Sequence, residues 1–119
     1  MKVDKKIIKK NSNWNFKGNV YKYFDKHIKK SIPFYSEAQN LYAQYTDFFL
    51  QDKSKIIDLG SSTGVFLDKV YNRHKLNQKK LSFIGIDNTK EMISFCKKKY
   101  KSKKKLKFLH KDIEKINMK

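Results

Sequence analysis

KIIDLGSSTG, residues 55–64, decides the fold. Its first half, Lys55-Ile56-Ile57-Asp58-Leu59, is a short apolar run with two β-branched residues, and Gly60 stops it, so it reads as a buried strand. Residues 63–72 then gather Phe66, Leu67, Val70 and Tyr71 on one side at helical spacing, which predicts a helix directly after the turn. The pattern repeats downstream. LSFIGI, residues 81–86, is a second strand followed by Asp87. Asn88 and Glu91 stand at capping-box spacing, opening a helix whose inner face carries Met92, Ile93, Cys96 and Tyr100. Leu106 to Leu109 is a third strand, followed by Asp112. Strands alternating with helices of about ten residues give βαβαβ, an α/β arrangement with a parallel sheet and right-handed crossovers.

Working upstream, Val20, Phe24 and Ile28 recur every four residues between Gly18 and Lys30, which predicts a one-sided helix. Ile32-Pro33 ends it, because proline disfavours helical geometry in the residue before it. A second helix spans about Ser36 to Leu50, with Ser36 as N-cap and with Leu41, Tyr45, Phe48 and Phe49 sharing a face. Residues 1–16 are polar and aperiodic and read as a flexible arm, leaving 17–119 as one folded unit.

The chain of 119 residues carries 29 Lys+Arg against 11 Asp+Glu, a net charge of +18. Such charge invites a nucleic-acid partner, through Lys97–Lys105 above all. Only Arg73 is arginine, however, and the guanidinium is the better fork for phosphate and guanine. A solvated lysine surface is the alternative. The single cysteine, Cys96, cannot build a disulfide framework or a cysteine zinc site, and on an apolar helix face it reads as a buried structural thiol. His27, His74 and His110 lack metal-ligand spacing, so no metal is expected, and no catalytic residue is identifiable. With no apolar run of spanning length and no signal-peptide pattern, the expectation is a cytoplasmic protein without membrane association.

In an open parallel sheet, ligands bind beyond the carboxyl ends of the strands. Asp58 with its glycine turn, Asp87-Asn88 and Asp112-Ile113 all fall at that edge, so each strand delivers an aspartate to one rim. Three of eleven acids gathered there would repel a pyrophosphate and favour a ligand with hydroxyls, amines and a positive centre. The turn agrees. Ser62 and Val65 occupy places where a dinucleotide fingerprint needs glycine, and no P-loop lysine follows. The helix N-terminus after Gly64 can still offer N–H donors to a carboxylate, and Asp87 is placed to accept hydrogen bonds from a ribose diol.

IIDLGSSTG, FIGIDNTKEMI and FLHKDIEKI together resemble the successive cofactor motifs of class I S-adenosylmethionine-dependent methyltransferases. FDKHIKKSIPFYSEAQNL upstream is similar to one branch, the carboxy-S-adenosylmethionine synthases, which supply a donor for tRNA wobble-uridine modification; the likeness covers roughly residues 14–116. The resemblance implies a Rossmann-like half-sheet with S-adenosyl-L-methionine as cofactor, and a methyltransferase, or a synthase acting on a small-molecule or tRNA-pathway substrate. By position it implies that Gly60, Ser61 and Ser62 line the methionine portion in a turn closed by Gly64, while Asp58 orients that turn. Asp87 would hold the ribose hydroxyls, Asn88 would lie over the adenine, Asp112 and Ile113 would address the adenine edge, and Tyr35 would close over the cofactor. Simpler roles stand beside these: a core aromatic for Tyr35, a helix cap for Asp87, a tight turn for Gly60 and Gly64.

The resembled sheet has seven strands, whereas this chain carries three, the cofactor half of such a domain. The first strand then has an apolar edge without a partner, which predicts instability or self-association into a homo-oligomer. A non-catalytic lysine-rich RNA-binding module, or an inert fragment, are the competing functions.

Overall fold

The computed structural model describes residues 16–117. The elements follow the order α1 (Phe24–Ser31), α2 (Tyr35–Phe49), β1 (Lys55–Leu59), α3 (Val65–His74), β2 (Ser82–Asp87), α4 (Lys90–Lys99) and β3 (Leu106–His110), with 3-10 turns at Gly18–Lys22 and Ile113–Lys115. The strands form a parallel sheet in the order β1-β2-β3, with Asp58 beside Gly85 and Gly85 beside Phe108. The βαβαβ expectation holds. Of the expected arm, only Phe16 lies within the described residues, its ring edge-on to Phe24.

Side chains alternate across a strand, so register assigns the faces. Ile56, Phe83, Leu106 and Phe108 point to the side where α2, α3 and α4 pack. Leu67 and Val70 of α3 and Ile93, Cys96 and Tyr100 of α4 complete that core. Ile57, Leu59, Ile84, Ile86 and Leu109 share the opposite face. Leu59, on edge strand β1, is 47% exposed.

The structure corrects the N-terminal reading. The helix expected over Gly18–Lys30 is two pieces, because a 3-10 turn closes with the Tyr23 amide on the Val20 carbonyl before α1 begins at Phe24. Ser36 is not an N-cap. Ile32 is extended ahead of Pro33, the chain reverses at Phe34 in the left-handed region (φ 57°), and α2 starts at Tyr35. The face shared by Leu41, Tyr45, Phe48 and Phe49 is exposed, Phe48 to 84%, while small Ala43 is the residue α2 buries.

Side-chain bonds set α2 against α3. Arg73 grips both carboxylate oxygens of Asp47, Lys69 reaches Asn40, and His74 bonds Thr46 at 2.7 Å. His74 Nδ1 accepts from the Asn77 amide, which leaves its Nε2–H to donate to Thr46 Oγ1. These contacts run from Ser36 and Asn40 in the first half of α2 to Asp47 near its end, so they fix the helix whose first turns reach the rim of the sheet.

Candidate functional site

The turn after β1, residues 60–64, crosses the carboxyl edge of the sheet in left-handed geometry at Gly60 (φ 76°), Ser62 (φ 49°) and Gly64 (φ 75°). The amides of Gly60, Ser61, Ser62 and Gly64 are already engaged. Those of Gly60 and Ser61 both donate to the Ile86 carbonyl, at 2.8 and 2.9 Å, and that of Gly64 donates to the Ser61 carbonyl. The Ser62 amide donates to Asp87 Oδ2 at 2.9 Å, while Oδ1 accepts from the Thr89 amide at 2.8 Å. Asp87, 7% exposed, is thus a clasp joining the turn after β1 to the turn after β2. That second turn forms no capping box: α4 has Thr89 as N-cap without a side-chain bond, and Asn88 is exposed. Asp87 has taken over the role expected of Asn88 and Glu91.

Both glycines of the turn need positive φ, and beyond that they differ. A Cβ on Gly64 would lie 2.8 Å from the Tyr100 ring and 3.0 Å from Phe108, so its bareness lets that stacked aromatic pair close under the turn. A Cβ on Gly60 would meet nothing within 4 Å. One glycine serves the core; the other borders open space.

That space is a pocket of about 130 Å³, whose lining includes Tyr35, Gln39, Asp58, Gly60, Ser61 and Ser62. In a chain of 29 basic residues, no Lys or Arg lines it. Burial, and then the neighbouring Asp87, push the Asp58 carboxyl up to about 6. Burial also raises the Tyr35 hydroxyl, with Asp25 and Asp58 adding to the shift. Asp25 belongs to α1, where it accepts from Thr63 Oγ1 at 2.5 Å and so ties the helical layer to the turn. The Cys96 thiol lies beneath, its Sγ donating to the Ser62 carbonyl at 3.2 Å; burial and then Asp87 push it up to about 12. Ser61 Oγ and Gln39 Oε1 are buried with no hydrogen-bond partner in the structure. Buried polar atoms are seldom left so, and both residues line this one pocket.

The rim continues into a second, wider pocket of about 630 Å³ lined by Asn88, Thr89, His110, Asp112 and the lysines Lys17, Lys111 and Lys115, among others. His110 Nε2–H donates to the Asn88 carbonyl at 3.0 Å, and the Lys111 amide to that of Asp87. Asp112 is exposed and caps the 3-10 turn by accepting from the Glu114 amide; Ile113 beside it is exposed. The trio expected at one rim is therefore divided. Asp58 and Asp87 lie within electrostatic reach of each other, and the acid that joins them is Asp25 rather than Asp112. Of the residues expected at a ligand, Tyr35, Asp58, Gly60, Ser61 and Ser62 share the small pocket, Asn88 and Asp112 share the wide one, and Asp87 stands at the join.

Sequence reasoning missed Asp25, Gln39 and Thr89. The first two lie inside FDKHIKKSIPFYSEAQNL, so resemblance marked the stretch while nothing in its pattern singled out those residues. The lysine run is less available than its composition suggests. Lys103 pairs with Asp68 and lies over the Tyr71 and Tyr100 rings, and Lys99 lies over Phe95 and Tyr100. Among the described residues, no helix is long and apolar enough to cross a membrane, and no acid, histidine and cysteine group is set to hold a metal.

A family model described as a methyltransferase domain matches residues 50–119. The chain belongs to that family. The match takes in every strand of this methyltransferase domain and both turns joined by Asp87. Its sequence is 42% identical over 98 residues to carboxy-S-adenosyl-L-methionine synthase of Nautilia profundicola, covering 82% of the chain and 39% of that relative. It is 36% identical over 77 residues to the synthase of the same name from Staphylococcus epidermidis, covering 64% and 32%. The chain thus spans 39% or less of the length of these two relatives. Among solved structures, plantazolicin methyltransferase BpumL, in complex with a triazolic desmethylPZN analog and SAH, matches with TM-score 0.55 at 22% identity over 83% of this chain and 36% of its own. The methyltransferase complexed with the Haloferax volcanii Trm112 methyltransferase activator matches with TM-score 0.56 at 17% identity, over 82% and 39%. At such identities the likeness is one of fold.

Proposed function

We propose that this methyltransferase domain holds S-adenosyl-L-methionine across the carboxyl edge of its sheet and provides the donor side of a group-transfer enzyme. The observation that carries the reading is the Asp87 clasp, a buried carboxylate between two ligand-sized openings. Each Asp87 oxygen accepts one amide and keeps a second lone-pair direction, which suits a vicinal diol. The narrow, polar pocket suits the amino-acid end of the ligand, and the wide pocket with Asn88 and Asp112 suits its base. The unpartnered Ser61 and Gln39 atoms and the open approach at Gly60 support the fit. When bound, the group supplies an activated sulfonium methyl, so positioning is the main task left to the protein.

The names of the relatives favour a narrower version, an enzyme that makes the carboxylated form of the donor, which the resemblance in sequence links to tRNA modification. Its second substrate would be a small molecule that gives up a carboxyl group to the methyl carbon of the donor, which loses a proton. RNA contact through Lys97–Lys105 is the competing reading, weakened by the aromatic and Asp68 contacts of Lys99 and Lys103. Calorimetry with S-adenosylhomocysteine separates the two. Binding to the chain, lowered about 100-fold or more by Asp87→Ala, is the expected result, and an unchanged affinity in that variant overturns the reading. A salt-sensitive RNA affinity indifferent to Asp87→Ala favours the competitor.

A further inference from the structure

Among the described residues, β3 pairs on one side only, with β2. Along a parallel ladder, alternate residues turn both backbone groups to the neighbour. The Phe83 amide donates to the Lys105 carbonyl at 3.3 Å and the Lys111 amide to the Asp87 carbonyl at 3.0 Å, so Lys107 and Leu109 also turn theirs to β2. The Phe108 N–H and C=O, the Leu106 C=O and the His110 N–H therefore point outward along the open edge. Such an edge is a template for one more strand. Beside it, between β3 and the end of α4, lies a groove of about 390 Å³. Buried Tyr100, Leu106 and Phe108 give it an apolar lining, and exposed Lys97, Lys101, Lys104 and Lys107 border it. Lys103, also in the lining, is paired with Asp68, and no acid lines the groove.

We infer that this edge binds an extended acidic segment of a partner protein, which pairs with β3 as a further strand and sets carboxylates against Lys97, Lys101, Lys104 and Lys107. A peptide backbone offers donors and acceptors at the strand repeat, and acidic side chains answer the lysines. Other occupants fit less well. A second copy carries the same charge of +18 and brings lysines against lysines. Residues 1–15 of this chain hold five lysines and one aspartate, so they are repelled in the same way. RNA would neutralise the lysines, but its phosphates only accept hydrogen bonds and offer none to the outward carbonyls of Leu106 and Phe108. The inference does not depend on how the strand-end pockets are read.

The probe is an end-capped, fluorescein-labelled decapeptide of alternating Glu and Val, followed by anisotropy at about 150 mM salt, where exposed charges more than about 8 Å apart are largely screened. Saturable binding is expected. Methylating all its backbone amides keeps the charge and removes every donor, and should weaken it at least tenfold. Lys101→Glu combined with Lys104→Glu should also weaken the peptide at least tenfold, whereas Lys26→Glu combined with Lys29→Glu, exposed on α1, should change its affinity about twofold or less. Circular dichroism melts establish that both variants fold. Absence of binding, indifference to methylation, or equal losses in the two variants overturns the inference. Tighter binding of an oligouridylate of the same net charge assigns the groove to RNA and overturns it too, as does self-association in sedimentation that the peptide reverses, which would seat a second copy there.

Discussion

On one side of Asp87 lies a narrow pocket walled by the glycine turn and the Asp58 carboxylate; on the other lies a wide one bordered by exposed lysines. Both sit at strand ends, and both receive an aspartate from their strand. Yet Asp58 is buried enough to hold its proton to about 6, whereas Asp112 stands in solvent and caps a short turn. An aspartate at a strand end is therefore no single kind of residue. What decides its chemistry is whether a helical layer closes over it, and α1 and α2 close over the first strand end only, through Asp25 and Tyr35.

The contrast can be broken most forcefully at the glycines. Gly64→Ala forces a Cβ into the Tyr100 and Phe108 rings at positive φ, and should destabilise the chain by about 3 kcal/mol. Gly60→Ala bears the φ strain alone, about 1 kcal/mol, and should instead cost ligand affinity by narrowing the pocket mouth. Denaturant melts paired with calorimetry distinguish the two; equal stability losses would mean the turn is not divided as described.

A smaller effect comes from pH. Asp58 binds its proton more tightly folded than unfolded, so the folded chain holds a proton that the unfolded chain has released between about pH 4 and 6. Stability should fall as pH rises through that window, by about 2 kcal/mol, and Asp58→Asn should flatten the slope. A cationic ligand needs the carboxylate, so its affinity should rise roughly tenfold from pH 5 to 7, with proton release visible when titrations are repeated in buffers of different ionisation enthalpy. The smallest effect is expected across the rim. Asp112→Ala removes one exposed cap, about 0.5 kcal/mol, and should leave the pH slope unmoved.

The strands and helices after Lys55 were legible because hydrophobic spacing and short polar turns act locally, and the boundaries shift by no more than about two residues. The same reading placed the aspartates at one edge, since parallel strands must end together. It could not tell Asp58 from Asp112, because burial is imposed by α1 and α2 through Asp25 and Tyr35, 33 and 23 residues earlier in the chain. Nor could it foresee that Asp87 would displace the Asn88–Glu91 cap, a choice made by the Ser62 amide arriving from another turn. The exposed aromatic face of α2 misled for a related reason: helical periodicity reports that a face exists, and Ala43 shows that a small residue can be what contacts the neighbour.

The thiol beneath the glycine turn gives this chain its own stopwatch. Cys96 is the only sulfhydryl, sealed and held protonated while it bonds the Ser62 carbonyl, so an alkylating reagent can reach it only after the packing of α4 against the turn and the sheet opens. The pace of its modification then reports how often that packing opens, readable by mass spectrometry without any added label.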